Sequence, residues 1–223
     1  MAKKPSTRSD AVVVIGLGRF GGAVATSLVR LGHEVLGIDE DPAIVQQWAD
    51  SLTHVVQADT TDSEVLRQLG VTDFGRAVVG IGSDVEASVL TVLALEELGV
   101  ADIWAKATTA KHGRILERTG AQHVIYPEAA MGERVAHLVT GKMIDFIEFD
   151  DGFAIAKTCA PSQAHGRTLG ESALRSKYGI TVVGIKRDKA DFAHAKPDTV
   201  VQSGDLLIVS GPTVLVETFA ALT

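Results

Sequence analysis

Apolar and polar positions are arranged in repeating blocks from residue 11 to about residue 143. Short β-branched runs stand at Val12–Ile15, Val35–Ile38, Val55–Gln57, Ala77–Gly80, Ile103–Ala107 and His123–Ile125, with amphipathic stretches between them. Each run is nearly all apolar, the pattern of strands covered on both faces of a parallel sheet. The helical stretches carry start signals. Asp41-Pro42 offers an N-cap followed by proline at the first helical position, and Thr61 with Glu64 fits a capping box. Six βα repeats at this spacing predict an α/β fold, a doubly wound parallel sheet with right-handed crossovers.

After the sixth strand the pattern changes. Ala129–Lys142 reads as one more amphipathic helix, then Phe146-Ile147-Glu148-Phe149 as a strand and Asp150-Asp151-Gly152 as a turn. Phe153–Cys159, a helix near Leu169–Tyr178, Thr181–Arg187, a short strand around Phe192, Asp205–Ser210 and a helix from Thr213 follow. These strands are more amphipathic, which predicts a smaller α+β domain whose sheet keeps one face open or partner-covered. The expected organisation is a disordered tail at 1–10, a parallel-sheet domain over 11–143 and a second domain over 144–223.

Composition narrows the class. The chain has 223 residues, 46% hydrophobic and 22% charged, with a net charge of −7. That is the balance of a folded protein, and an acidic chain without a basic stripe is not built for nucleic acid. The lone Cys159 cannot form an intrachain disulfide, which fits a reducing compartment. No run approaches the roughly 18 apolar residues that span a bilayer. The opening MAKKPSTRSD leads only into the short run Ala11–Ile15, which glycine ends, so a soluble, cytoplasmic protein is expected.

The strongest local motif is Gly16-Leu17-Gly18-Arg19-Phe20-Gly21, between the first strand and a helix. Gly16 permits the tight turn, Gly18 lets the backbone approach a pyrophosphate, and Gly21 with Gly22 allows close helix packing. The helix N-terminus adds free N–H donors and a favourable dipole. Asp39 ends the second strand, where a carboxylate accepts both ribose hydroxyls and repels a 2′-phosphate. These features in register point to a dinucleotide or adenine-nucleotide pocket. Arg19 can swing over terminal phosphates or stand as a solvated arginine. Asp59 suits an adenine amino group or a helix cap, and Ser83, in Ile81-Gly82-Ser83-Asp84, suits a ligand contact or an N-cap. Lys106 can reach ribose or phosphate, or sit as a rim lysine. Hydride transfer needs an acid–base group, and His165, His194 and Cys159 form no recognisable pairing, so a non-enzymatic binder is expected. CxxC and HExxH motifs are absent from the sequence, which excludes a structural zinc site. The alternative is an NAD(H)-binding sensor or a small NAD-dependent oxidoreductase.

Further residues extend the pattern: Val14-Ile15 before the glycine motif, Gly32-His33-Glu34-Val35, Ile103-Trp104-Ala105-Lys106-Ala107, Gly120-Ala121, Pro127-Glu128, Met131-Gly132, Arg175-Ser176-Lys177-Tyr178-Gly179 and Gly204-Asp205. Together they resemble the cytosolic regulatory subunits of bacterial Ktr/Trk potassium uptake systems over nearly the whole chain from residue 11. The resemblance implies an RCK (regulator of potassium conductance) N-terminal Rossmann domain, a crossover helix and a TrkA-C domain. It implies homodimers joined into an octameric ring on the inner face of the cell membrane. There ATP, ADP or NAD would gate a membrane potassium-translocating subunit. It places Gly16, Gly18, Arg19, Phe20, Asp39, Asp59, Thr60, Gly82, Ser83 and Lys106 around the nucleotide, with Arg19 on the terminal phosphates. Glu128 resembles a family glutamate that helps hold Mg2+ or Ca2+ beside those phosphates; read alone, it is an exposed acid at a helix start. In the second domain Leu169, Leu174, Arg175, Thr181, Val182 and Pro197 match a cyclic di-AMP site, or form core and dimer seam. Thr181 stands where relatives often carry asparagine.

Overall fold

The computed structural model describes residues 11–139, 143–149, 152–188 and 190–222. The expected tail at 1–10, the end of the helix predicted through Lys142 and the Asp150-Asp151 pair lie outside these residues. The chain divides into two compact units, one ending at Glu128 and the other beginning at Ala129.

The first unit is built on six parallel strands. They are β1 (Val12–Ile15), β2 (Val35–Asp39), β3 (His54–Gln57), β4 (Arg76–Val79), β5 (Asp102–Lys106) and β6 (His123–Ile125). Their order is β3-β2-β1-β4-β5-β6, with Val12 of β1 paired to Val35 on one side and Arg76 on the other. Every residue of β1 and β2 is buried, as central parallel strands require. Helices α1 (Arg19–Arg30), α2 (Pro42–Trp48), α3 (Ser63–Gln68), α4 (Val85–Glu97) and α5 (Ala110–Thr119) follow the first five strands, and α6 (Pro127–Val139) follows the sixth.

The caps explain where the helices start. Asp41 accepts from Ala43 N–H with Pro42 in the first turn, as the sequence predicts. The cap of α3 corrects the expectation: Asp62, not Thr61, accepts from Glu64 N–H. Thr61 is drawn away because its hydroxyl donates to Asp59, so the helix begins one residue later. Asp84 caps α4 by accepting from Ala87 N–H, which leaves Ser83 outside the cap role.

The second unit is a five-stranded antiparallel sheet in the order β10-β9-β11-β8-β7. Its strands are β7 (Asp145–Phe149), β8 (Phe153–Cys159), β9 (Thr181–Lys186), β10 (Phe192–His194) and β11 (Leu206–Pro212). Burial alternates along β8 and β11, so one face packs on a core with α9 (Thr213–Ala220) and the other is less covered, as the amphipathic pattern predicts. The helix expected near Leu169–Tyr178 is two short helices, α7 (Leu169–Ser172) and α8 (Leu174–Tyr178). Ala173 between them has φ 50°, a left-handed conformation that non-glycine residues adopt only when their surroundings enforce it. The segments on either side of it are anchored separately. Leu169 and Gly170 N–H are tied to Thr199 and Pro197 carbonyls, while Leu174 drops into the core.

Candidate functional site: a nucleotide cleft at the carboxyl edge of the parallel sheet

The strand order reverses between β1 and β4, and in open α/β sheets ligands bind at the carboxyl edge of that point. A cleft of about 300 Å³ lies there, lined by the loops after β1, β2, β3 and β4. Gly16 sits at φ +80°, a conformation available to glycine at little cost. Its N–H donates to Ile38 O at 2.8 Å, and Gly80 N–H donates to Ile15 O at 2.7 Å. The three strand ends are thereby locked to one another. Gly21 lies against Gly16 O so closely that a Cβ there would collide with it, which is how the first turn of α1 reaches the loop.

Seven of the predicted residues line the cleft together: Gly16, Gly18, Asp39, Asp59, Thr60, Gly82 and Ser83. Asp39 is only 9% exposed. Its Oδ2 accepts from Leu17 N–H at 2.6 Å and its Oδ1 from Asp41 N–H at 3.0 Å. An ionised carboxylate has about four acceptor sites, so one on each oxygen remains for ribose hydroxyls. Asp59 Oδ1 accepts from Thr61 N–H at 2.9 Å and from Thr61 Oγ1. These bonds hold its carboxyl below the usual carboxylate range, and they make it a brace for the turn, not the cap of α3. The Thr60 hydroxyl is buried and shares a hydrogen bond of 2.8 Å with Thr91 on α4. Ser83 is exposed at the cleft.

The lining contains five acids, Asp39, Glu40, Asp41, Asp59 and Asp84, and no lysine or arginine. Glu40 had no place in the sequence reading, although it directly follows Asp39 in the chain. This field opposes an additional phosphate near the ribose, consistent with an unphosphorylated 2′ position.

The cations stand beside the lining. Arg19 opens α1 next to Gly18 and is exposed. Lys106 Nζ lies where a Cβ on Gly82 would be 3.1 Å from it, and 5.9 Å from the Phe20 ring centroid. Lys106 is bonded to Glu128: Nζ to Oε1 is 2.6 Å, with the lysine side chain 13% exposed and the glutamate 67%. The Lys106 hydrogen bond is the main cause that lowers the Glu128 carboxyl from its ordinary value, with Arg19 adding a smaller pull. Arg19, Phe20, Lys106 and Glu128 therefore form a rim cluster. The sequence placed these residues at the site, but not the ion pair between them.

Among the described residues no group of three His, Cys, Asp or Glu side chains could hold a metal ion. Glu128 offers one carboxylate. That donor set fits a divalent cation only where ligand phosphates complete the shell, which is how Mg2+ is commonly held.

In the second unit the six matched residues do not share one environment. Leu174 is buried in the core, Leu169 and Val182 pack against it, and Arg175, Thr181 and Pro197 are exposed.

Fold and cleft define a Rossmann-type nucleotide-binding domain joined to a small antiparallel-sheet domain. The TrkA-N domain family model matches residues 12–127 and the TrkA-C domain model residues 160–223. Ktr system potassium uptake protein C of Bacillus subtilis is 39% identical over 199 residues, 89% of this chain and 90% of that protein. Ktr system potassium uptake protein A of Vibrio alginolyticus is 36% identical over 200 residues, 89% and 91% of the two chains. The chain belongs to this family of Ktr/Trk potassium uptake proteins. Among solved structures, the GsuK channel bound to NAD superposes over 98% of this chain with a TM-score of 0.66 and 18% identity. This chain spans 40% of that one, and the likeness shows the shared RCK-type fold. No helix among the described residues is long and apolar enough to cross a membrane.

Proposed function

We propose that this chain is a non-enzymatic, cytoplasmic gating subunit of a potassium uptake system, controlled by ATP and ADP in the β1–β4 cleft. The observation that supports it most is the assembled cleft itself, with the glycine turn, the α1 N-terminus and the Asp39 carboxylate facing one space, in a chain of this family. The nucleotide domain runs over 11–143 with its crossover helix, and the TrkA-C domain over 144–223. Homodimers build an octameric ring on a membrane potassium-translocating subunit. Gly16, Gly18, Asp39, Asp59, Thr60, Gly82 and Ser83 hold the nucleoside and first phosphates. Arg19 meets the terminal phosphates, Lys106 reaches ribose or phosphate, and Phe20 lines the site beside them.

Glu128 is freed when phosphate takes over Lys106. It then helps to hold Mg2+ or Ca2+, which supplies charge neutralisation between the phosphates and the protein. Exposed Arg175, Thr181 and Pro197 are the second-domain positions open to cyclic di-AMP, with Leu169, Leu174 and Val182 supporting them from the core side.

A thermal-shift panel on the full chain with ATP, ADP, NADH and cyclic di-AMP, with and without Mg2+, tests the reading. A ligand at 100 times its Kd adds about 2.7 kcal/mol of apparent stability. Stabilisation by ATP and ADP, with a Mg2+ effect confined to ATP, is the expected result. Stabilisation by NADH alone favours an NAD(H) sensor, to which the acidic cleft is equally suited, and turnover of NADH favours the oxidoreductase.

A further inference from the structure

We propose that Trp48 is a positioning residue for the glycine-rich loop, fixing the Leu17–Gly18 peptide so that the Gly18 N–H is presented as a phosphate donor. The inference rests on the reading of the cleft as a nucleotide site. Trp48 is the last residue of α2, and its indole Nε1–H donates to Leu17 O at 2.9 Å. Leu17 is held from the other side as well, since its N–H donates to Asp39 Oδ2 at 2.6 Å. The loop is thus pinned through both peptide groups of one residue.

A trans peptide sets the carbonyl of one residue antiparallel to the N–H of the next. With Leu17 O turned onto the indole, the Gly18 N–H is directed away from it. None of the hydrogen bonds among the described residues uses that N–H, and Gly18 lines the cleft. A free donor at a helix N-terminus, on a glycine that permits close approach, is what a phosphate oxygen needs.

The indole is itself rigidly held. It lies against Gly22 of α1, where a Cβ would collide with the ring, so glycine at this position admits the tryptophan. The ring also packs on the cluster of Val12, Val14, Leu17, Ala25, Val35 and Leu52. A side chain this restricted loses little further freedom in making its hydrogen bond.

The test replaces the indole N–H alone. In the full-length protein, Trp48→3-benzothienylalanine keeps the shape of the ring and puts sulfur in place of the N–H, and Trp48→Phe serves as a second variant. Amide spectra of the ligand-free, 15N-glycine-labelled protein report on the loop, and calorimetry measures ADP, ATP and adenosine. The expected result is a displaced Gly18 amide signal and about fivefold weaker ADP and ATP binding, the contribution of one ordinary hydrogen bond, with adenosine unchanged. An unmoved Gly18 signal, or a loss shared equally by adenosine, overturns the proposal. Wild-type binding that neither variant alters also overturns it and leaves the nucleotide reading standing. Wild-type protein that binds none of the three overturns the donor role together with that reading, and the Gly18 signal then decides the positioning by itself.

Discussion

Replacing Asp39 by asparagine keeps the size of the side chain and removes one acceptor from a place where two are in use. The carboxylate receives Leu17 N–H at 2.6 Å and Asp41 N–H at 3.0 Å, one on each oxygen. An asparagine has one carbonyl oxygen, so whichever way it turns, its NH2 confronts one of the two backbone donors. The variant loses one hydrogen bond to a charged acceptor, about 1.5–3 kcal/mol, and strands a donor at a position 9% exposed. A net cost of about 2–3 kcal/mol follows. Urea unfolding of the full chain, followed by tryptophan emission, reads this as a midpoint lowered by roughly 1 M at an unchanged slope. NADP should also gain relative to NAD, because the carboxylate that repels a 2′-phosphate is gone. A midpoint within about 0.2 M of wild type would refute the assignment of Asp39 as the clamp of the loop.

Under the proposed function, in which exposed Arg19 meets the terminal phosphates, Arg19→Ala should weaken ATP more than ADP; equal losses in titration calorimetry reject that role. His112 is buried, its Nε2 has no hydrogen-bond partner among the described residues, and desolvation lowers its pKa from the ordinary 6.5. The unfolded chain therefore takes up the proton first, and stability declines as pH falls below 6.5. His112→Leu should flatten that decline, so the gap in Tm between about pH 7.5 and 5.5 narrows, and an unchanged gap assigns it to other groups. In the second unit, buried Asp205 accepts from Arg187 Nε at 2.9 Å and from Gln202 N–H at 2.8 Å, while the Arg187 side chain is 41% exposed. Arg187→Ala should destabilise more than Asp205→Ala, because the first strands a buried charge and the second leaves an arginine that water can solvate; the reverse order in paired denaturant melts would count against this account.

The sheet was legible because parallel strands covered on both faces leave continuous apolar runs, and β1 and β6 fall where their runs stand. The cleft was legible for the same reason: its residues follow the ends of strands. The misses arise where one side chain competes with another. Thr61 and Glu64 have capping-box spacing, but spacing does not reveal that Asp59 claims the Thr61 hydroxyl. The left-handed break at Ala173 follows a turn whose first N–H groups bond to the Pro197 and Thr199 carbonyls, partners distant in sequence that no local propensity encodes. Lys106 and Glu128 were each placed at the site, yet their ion pair joins residues 22 positions apart, and only the meeting of β5, β6 and the start of α6 makes it.

The separation of cleft from rim bears on how two nucleotides could be told apart. A ligand moves a conformational equilibrium only by its difference in affinity for the two shapes. The cleft lining is a poor source of such a difference, because Asp39, Asp41, Asp59 and Asp84 are committed to backbone N–H groups that fix the loops. ATP and ADP also share the nucleoside that this lining would hold. Lys106 and Glu128 are bonded chiefly to each other, and a phosphate that takes the lysine leaves the carboxylate without its partner. Under the proposed function, the ligand whose phosphates reach Lys106 is the one that changes the rim, and the released Glu128 carries that change to the first turn of α6. Glu128→Gln should then let ADP and ATP act more alike in potassium flux, since the amide no longer holds the lysine through an ion pair. A flux response to ATP and ADP as distinct as in wild type would place the discrimination elsewhere.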